Sequence, residues 1–197
     1  MKERKSHGIQ LLLRAVVRDP DGKIISDTGE KPARSFVIQF LEFFYGLFRG
    51  ITVNATQTDG GEGYIYRNIN SCDIHLVVDA GVGVSKNGVV VGTGDTPATN
   101  IDNKLETQLT EGVTAGKISH GAVVITAAAV VGANVDLTIT RAFTNNTGSN
   151  IIVKEAGLYC IWSTAQQHCL VRDVLGTPVE TPDKCSLTVI YTVRTTV

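Results

Sequence analysis

The side chains best suited to metal binding in this sequence are its four cysteines and four histidines. Cys72 and His75 have the spacing of half a zinc site, and the adjacent pair His168-Cys169 offers further ligands. Adjacent residues of a strand point to opposite faces, so the second pair is badly placed to bind a single ion. We therefore expect buried structural cysteines and predict no metal site.

Nucleophilic catalysis needs an activated serine, or a cysteine beside a histidine. The Gly-x-Ser-x-Gly motif is absent, and no histidine lies in a recognisable catalytic motif; the four are His7, His75, His120 and His168. Cys160 and His168 would form a nucleophile–base pair only if the fold brought them together. The sequence therefore predicts no catalytic residues and no enzyme.

Two glycine pairs and one acidic loop were candidates for cofactor or calcium binding. Gly81-Val82-Gly83 and Gly92-Thr93-Gly94 lack the third glycine of a dinucleotide-binding fingerprint. Asp59 and Glu62 supply only two carboxylates, whereas calcium takes six or more oxygen ligands. These stretches are typical of loops, and we predict no bound cofactor.

The charge of the chain bears on its partners. The formal net charge is −1, which argues against a general nucleic-acid binder. Residues 1–34 carry eight Lys/Arg against five Asp/Glu, a net charge of +3. Such a segment could dock onto an acidic partner or packaged nucleic acid, but we favour a solvated terminal segment.

Targeting signals are missing from the sequence. The apolar run over residues 36–48 is too short to cross a bilayer and contains Gln39 and Glu42. No signal peptide is recognisable at the start of the chain, so we expect synthesis in the cytoplasm. Cysteines there are normally reduced, although Cys160 and Cys169 could pair across a hairpin.

The composition favours β-structure, with 24 Val, 22 Thr and 20 Gly. Alternating apolar and polar residues, separated by turn signals, indicate short strands. The predicted strands cover residues 9–17, 23–26, 72–79, 82–91 with a hairpin turn at Asn87-Gly88, 121–131, 135–140, 151–154, 157–162, 168–174 and 187–193. Residues 51–70 are expected to form a loop, and residues 104–109 a short helical turn.

One helix is predicted over residues 35–48, with Ser35 as its N-cap and Gly50 after its end. It holds five of the six phenylalanines of the chain. Its apolar stripe is predicted to be an anchor for packing or assembly, formed by Phe36, Phe40, Phe44 and Leu47. The expected fold is therefore mainly β: an N-terminal arm, strand and helix over residues 1–50, then an antiparallel β-sandwich over residues 51–197.

Several segments of the chain carry a familiar pattern. They are VGTGDT at residues 91–96, ITRAFTNNTG at 139–148, IVKEAGLY at 152–159, RDVLGTPV at 172–179, LTVIYTV at 187–193 and the helix start SFVIQFL at 35–41. In these segments the chain resembles small structural proteins of tailed bacteriophages. The resemblance implies a virion component present in many copies, in the head, neck or tail. Its partners would be copies of itself and other virion proteins.

Three functions from different classes follow from these observations. The first is a virion structural protein, made in the host cytoplasm, that acts as a homo-oligomer without specific nucleic-acid binding or a membrane span. The second is a receptor- or glycan-binding module of a tail or fibre, with Tyr64, Tyr66 and Trp162 as candidate contacts. The third is a small enzyme, which would need a polar pocket with perturbed titrating groups.

Overall fold

The structure is a computed structural model that describes residues 8–33, 36–49, 51–65, 76–163 and 166–196. It is mainly β, with 56% of residues in strands, several sheets and one helix. The helix is α1 (Ile38–Arg49). The strands are β1 (Gly8–Arg18), β2 (Ile24–Asp27), β3 (Lys31–Pro32), β4 (Val53–Thr56), β5 (Glu62–Ile65), β6 (Gly88–Gly92), β7 (Thr110–Glu111), β8 (Lys117–Ile125), β9 (Ala129–Val131), β10 (Asn134–Thr144), β11 (Ile151–Ser163), β12 (Gln166–Thr181) and β13 (Ser186–Thr196).

The largest sheet contains eight strands in the order β2-β1-β13-β10-β8-β7, with β3 paired to β1 and β9 paired to β10. Its pairs are antiparallel except for the short β7–β8 pair. A second sheet has the order β12-β11-β6, and β4 and β5 form a third. Strand β1 lies in the predicted N-terminal segment and pairs with β13 along its whole length.

The main core draws side chains from both larger sheets. Strands β1, β10 and β13 contribute alternate residues, among them Leu13, Ile139 and Leu187. From the three-stranded sheet, Val91 and Leu158 belong to the same buried cluster. The predicted alternation in β10 and β13 is thereby confirmed, because their odd-numbered apolar residues face the core.

The helix differs from its predicted extent and character. It begins at Ile38 rather than at residue 35, and it ends at Arg49. It is amphipathic and not apolar all round, since Gln39 is buried while Leu41 and Tyr45 are exposed. Ser35 and Gly50, the predicted capping residues, lie outside the described residues.

Other predicted elements need correction. Residues 53–65 are not a plain loop, because β4 and β5 pair there around a turn in which Asp59 Oδ1 accepts the Gly61 N–H at 2.8 Å. Asn87-Gly88 makes no hairpin; β6 starts at Gly88 after irregular chain. The predicted helical turn at 104–109 is not helical; the segment is irregular, with bends.

Some observed strand boundaries differ from the predicted ones. Predicted strands 151–154 and 157–162 are one continuous β11, and predicted strand 121–131 divides into β8 and β9. The predicted strand at 72–79 lies mostly outside the described residues, and its end makes only an isolated bridge between Val77 and Ile161. Strands 9–17, 23–26, 168–174 and 187–193 are confirmed, with β12 extending further than predicted.

Candidate assembly surface

The predicted anchor residues form a stack of rings along one side of α1. The Phe36 and Phe40 ring centroids are 4.1 Å apart, and those of Phe40 and Phe44 are 4.9 Å apart. Phe40 packs against the main core, whereas Phe36 remains 36% exposed. The side chain of Leu47 lies outside the described residues. The structure thus brings three of the four predicted residues together.

The most deeply inserted residues of α1 are on a neighbouring stripe. Gln39 and Phe43 are 1% and 7% exposed, and Phe43 packs on Ala55 of β4. The opposite stripe is apolar but open to solvent, since Ile38, Leu41 and Tyr45 are all exposed. The helix therefore covers part of the core with one stripe and presents an exposed apolar face with the other.

A buried ion network fixes the loop between β6 and β7. Glu155, in the middle of β11, is fully buried and accepts the N–H groups of Gly94, Glu106 and Thr107 at 3.2, 3.0 and 2.8 Å. Arg172 of β12 donates from Nε to Glu155 Oε2 at 3.0 Å. Its Nη1 donates to Asp102 Oδ2 at 2.7 Å. Such a network makes the loop a fixed surface, because a buried charge is stable only with its partners in place.

This network explains one glycine pair of the sequence. A Cβ on Gly92 would lie 2.5 Å from Glu155 Oε1, and one on Gly94 would lie 2.7 Å from the same atom. Glycine is needed at both positions because the carboxylate approaches the backbone closely. Gly94 lies in a loop beside a strand, as predicted, whereas Gly92 is the last residue of β6.

A second buried cation fixes the chain before β6. Arg141 of β10 is fully buried, and its guanidinium donates to backbone carbonyls of five described residues. Nε donates to Gly121 O at 2.8 Å, and Nη1 donates to Asn87 O at 3.1 Å and Val89 O at 3.0 Å. Nη2 donates to the carbonyls of Gly81 and Val84. Burial lowers the pKa of Arg141 to about 10, so the group is still cationic at neutral pH.

His120 lies beside this arginine on β8. Its Nδ1 is 3.0 Å from Glu111 Oε2 and 2.9 Å from Ile118 O, so Nδ1 carries the proton and donates. Its Nε2 is buried without a hydrogen-bond partner among the described residues. Burial, helped by the nearby Arg141 charge, lowers the pKa of His120 despite the opposing effect of Glu111.

The structure places Cys160 opposite His168 in the β11–β12 register. Both residues are buried, and His168 Nδ1 lies 3.2 Å from Thr56 O. Burial raises the pKa of the Cys160 thiol to about 12, so it is protonated at neutral pH. Cys160, Cys169 and Cys185 are free thiols, so the alternative Cys160–Cys169 disulfide is absent.

The other candidate site residues are dispersed. Among the residues placed by the structure, no three of His, Cys, Asp and Glu come together as a group able to bind a metal ion. Cys72, His75, His7 and Tyr66 lie outside those residues, as does the side chain of Trp162. Tyr64, the remaining candidate for glycan contact, is 49% exposed on β5.

A cleft of about 610 Å³ opens between β3 and the outer part of β12. Lys31, Pro97, Leu175 and Asp173 are among its lining residues. Asp173 is 5% exposed and accepts a hydrogen bond from the buried Tyr191 hydroxyl at 3.4 Å. None of the cysteines and histidines weighed for catalysis lines this cleft.

Another exposed apolar feature is a β-hairpin that we call the uncharged hairpin, residues 118–135. Between Lys117 and Asp136 the sequence contains no Asp, Glu, Lys or Arg. Its outer part includes the end of β8, all of β9 and the start of β10, and five β-branched apolar residues there are exposed: Val124, Ile125, Val130, Val131 and Val135. Large exposed apolar patches on a folded domain usually mark interaction sites.

This hairpin continues a row of three apolar residues and one threonine across the largest sheet. Ile9 pairs with Thr195, which pairs with Val135, which pairs with Val130. We call these four residues the end row. Directly opposite residues share a face, and Ile9 lies two positions before the buried Leu11, so the end row is on the core-facing side. Yet Ile9 is 74% exposed and Val130 is 78% exposed, so the core-facing side ends in an open apolar strip.

The prediction from sequence missed both the uncharged hairpin and the buried ions. The signal for the hairpin was the absence of charge from residue 118 to 135 in a β-patterned stretch. The signal for Arg141 was its position in β10, two residues after the core-facing Ile139. A charge at a core-facing position needs partners, and here the partners are backbone carbonyls.

Within the described ranges, no helix is long and apolar enough to cross a bilayer. No family model matches the chain, no curated protein matches its sequence, and no solved structure matches its fold.

Proposed function

We propose that this chain is a structural protein of a bacteriophage virion and acts by assembling in many copies, as a head-decoration, neck or tail component. The observation that carries the proposal is the uncharged hairpin with its end row. The end row is exposed to solvent on the core-facing side of the sheet. Contact with another protein would stabilise the fold there, because burial of apolar surface is favourable. The sequence segments that resemble phage structural proteins favour a virus particle as the assembly in which such contacts would occur.

The rigidity of the chain on either side of β6 also supports a role in assembly. Arg141 holds the chain before β6, and Glu155 with Arg172 holds the loop after it. A surface that is ordered before binding loses less conformational freedom in the complex, so each repeated contact is tighter. The near-neutral net charge of −1 limits electrostatic repulsion between copies.

We also propose that the two larger sheets pack face to face as a β-sandwich. The support is the shared buried cluster, to which β1, β10 and β13 contribute from one sheet and β6, β11 and β12 from the other. In this arrangement the three-stranded sheet covers only part of the larger one. The uncovered remainder would be the end row and the uncharged hairpin.

The test of the assembly proposal is the solution mass of the purified full chain over a range of concentrations. One chain has a mass of 21.1 kDa, so mass photometry and light scattering distinguish a monomer from a ring or a larger oligomer. We expect a defined oligomer that forms as concentration rises. A protein that stays monomeric up to the highest soluble concentration would argue against self-assembly.

A further inference from the structure

The outer edge of the uncharged hairpin lacks a strand partner in the described part of the chain. At the start of β8, residues Lys117 and Ile118 pair with β7. Further along, His120 O accepts the Gly83 N–H, and the Val123 N–H donates to Ala80 O. Beyond Val123, none of the residues that the structure describes pairs with the edge: β9 pairs with β10 on its other side, and the Thr126 N–H points inward to Thr138 O.

An open strand edge usually carries protection against pairing with other chains. Charged side chains, especially lysine, and proline are the common devices. Residues 124–131 read VITAAAVV and contain neither. One bulge is present, since Thr126, Ala127 and Ala128 lie between the pairs Ile125–Ile139 and Ala129–Asp136. Small alanine side chains at the bulge leave the backbone accessible to another strand.

We propose that this edge, residues 124–131, is a β-strand interface that pairs antiparallel with the same segment of a second copy of the chain. The proposal rests on the assembly function and names its contact surface. In antiparallel two-fold pairing the residues at the centre of the segment lie beside their own copies, so a charge at the centre would face a like charge. A segment without charge avoids that repulsion. It also offers no opposite charge that would attract a charged partner.

The end row adds to the same interface. Val130 belongs to both features, and Val135 lies directly opposite it on β10. Pairing of two edges would bring the Val130 side chains of both copies near one shared apolar face. The largest sheet would then continue from one copy into the next, with backbone hydrogen bonds at the edge and apolar contacts beside it.

The first test introduces a lysine into the segment and measures the oligomer dissociation constant by mass photometry. Ala128→Lys and Val130→Lys should each weaken association at least about tenfold, since the first brings two like charges together at the centre of the contact and the second places a charge against apolar side chains of the other copy. Val113→Lys is the matched control, because Val113 is also exposed, at 57%, but lies outside the segment. Circular dichroism checks that each variant is folded.

The second test uses Ala128→Cys under mild oxidation, with the parent chain as control for the native cysteines. A disulfide-linked dimer of the variant, absent from the parent, is expected, because antiparallel partners have Cα atoms about 5 Å apart. An oligomer that is unchanged by both lysines and does not cross-link would overturn the edge interface and leave the assembly function standing. A monomeric parent would overturn self-pairing, and detection of the chain in purified particles would then decide the function separately.

Discussion

At the residue scale, the fold depends on a few buried charges that organise irregular chain. Arg141 donates to carbonyls from the segments around residues 81–89 and 121, and Glu155 accepts amides from residues 94–107. Residues 81–87 and 94–107 have little regular structure of their own. The shape of these two segments follows from the need of each buried ion for hydrogen bonds.

The Arg141 side chain is expected to be essential for stability. Arg141→Met keeps the apolar stem but leaves several buried carbonyls without donors, so we expect a loss of about 3–5 kcal/mol. Lys154→Met on β11 is the control, because Lys154 pairs with the exposed Asp95 at the surface and should contribute at most about 1 kcal/mol. Urea unfolding measures both values. Equal losses in the two variants would contradict the assigned role of Arg141.

Close packing against Glu155 predicts a steric effect at Gly92. Gly92→Ala would place a Cβ 2.5 Å from both Glu155 Oε1 and Thr107 O, so we expect a loss of about 1–3 kcal/mol. Gly176→Ala is the control, since a Cβ there meets no atom within 4 Å. Thermal unfolding of the two variants compares them. If Gly92→Ala melts like the parent, the carboxylate is not held against the backbone.

The buried histidines predict a stability that falls in mild acid. Burial lowers the pKa of His120 and of His168 from the usual 6.5, so the unfolded chain takes up these protons first as the pH falls. Their contribution is complete above about pH 6.5 and is lost toward the lowered values, by up to about 1.4 kcal/mol per pH unit for each residue.

The check is urea unfolding at pH 7.5 and 5.5 for the parent and for the double variant His120→Asn, His168→Asn. Asparagine keeps an N–H where each imidazole Nδ1 donates but has no proton to gain. The decline between the two pH values should be smaller in the double variant. An identical decline would assign the pH dependence to other groups.

At the scale of elements, strands and turns with a clear local pattern were predictable from the sequence. The alternation of Leu187, Val189 and Tyr191 predicted the face of β13 that is buried. The turn after β1 is predictable from the residues Asp19-Pro20-Asp21-Gly22, which are typical of turns; Asp19 Oδ1 accepts the Lys23 N–H at 2.9 Å, and Gly22 has φ of 84°. These features depend only on neighbouring residues, which the sequence displays directly.

Elements that depend on distant partners were not predictable. Residues 104–109 resemble a helical turn, but Glu155 and the Tyr159 hydroxyl bind the amides of residues 105–107 and hold the segment in an irregular conformation. Glu155 separates two predicted strands in the sequence, yet β11 is continuous because the carboxylate finds buried partners. Long-range hydrogen bonds overrode local propensity in both cases. Much of the assembly surface was missed for the same reason, since only the cross-strand register reveals the end row.

The helix prediction can be refined to single residues. Phe43, at 7% exposed, is more deeply buried than the members of the Phe36–Phe40–Phe44 stack. We expect Phe43→Ala to destabilise the protein by about 3–5 kcal/mol. Leu41→Ala, at a position 66% exposed, should change the unfolding free energy by no more than about 0.5 kcal/mol. Chemical denaturation of both variants is the measurement, and a larger effect at Leu41 would contradict the assigned orientation of α1.

At the scale of the whole molecule, the inner and outer parts of the largest sheet differ. Its middle shares a core with the three-stranded sheet, while its end carries exposed Ile9, Val130 and Val135 on the same side. An isolated chain leaves this strip in water. Placement of the chain among many copies and neighbouring proteins would cover it, which is the central claim of the proposed function.

The measurement that tests this claim most directly is quantitative peptide mapping of purified virus particles produced from the genome that encodes the chain. We expect peptides from the described strands, including the uncharged hairpin, at a level of several chains per particle that persists through density-gradient purification. Absence of these peptides from the particles, with the protein recovered only from the soluble lysate, would contradict the claim.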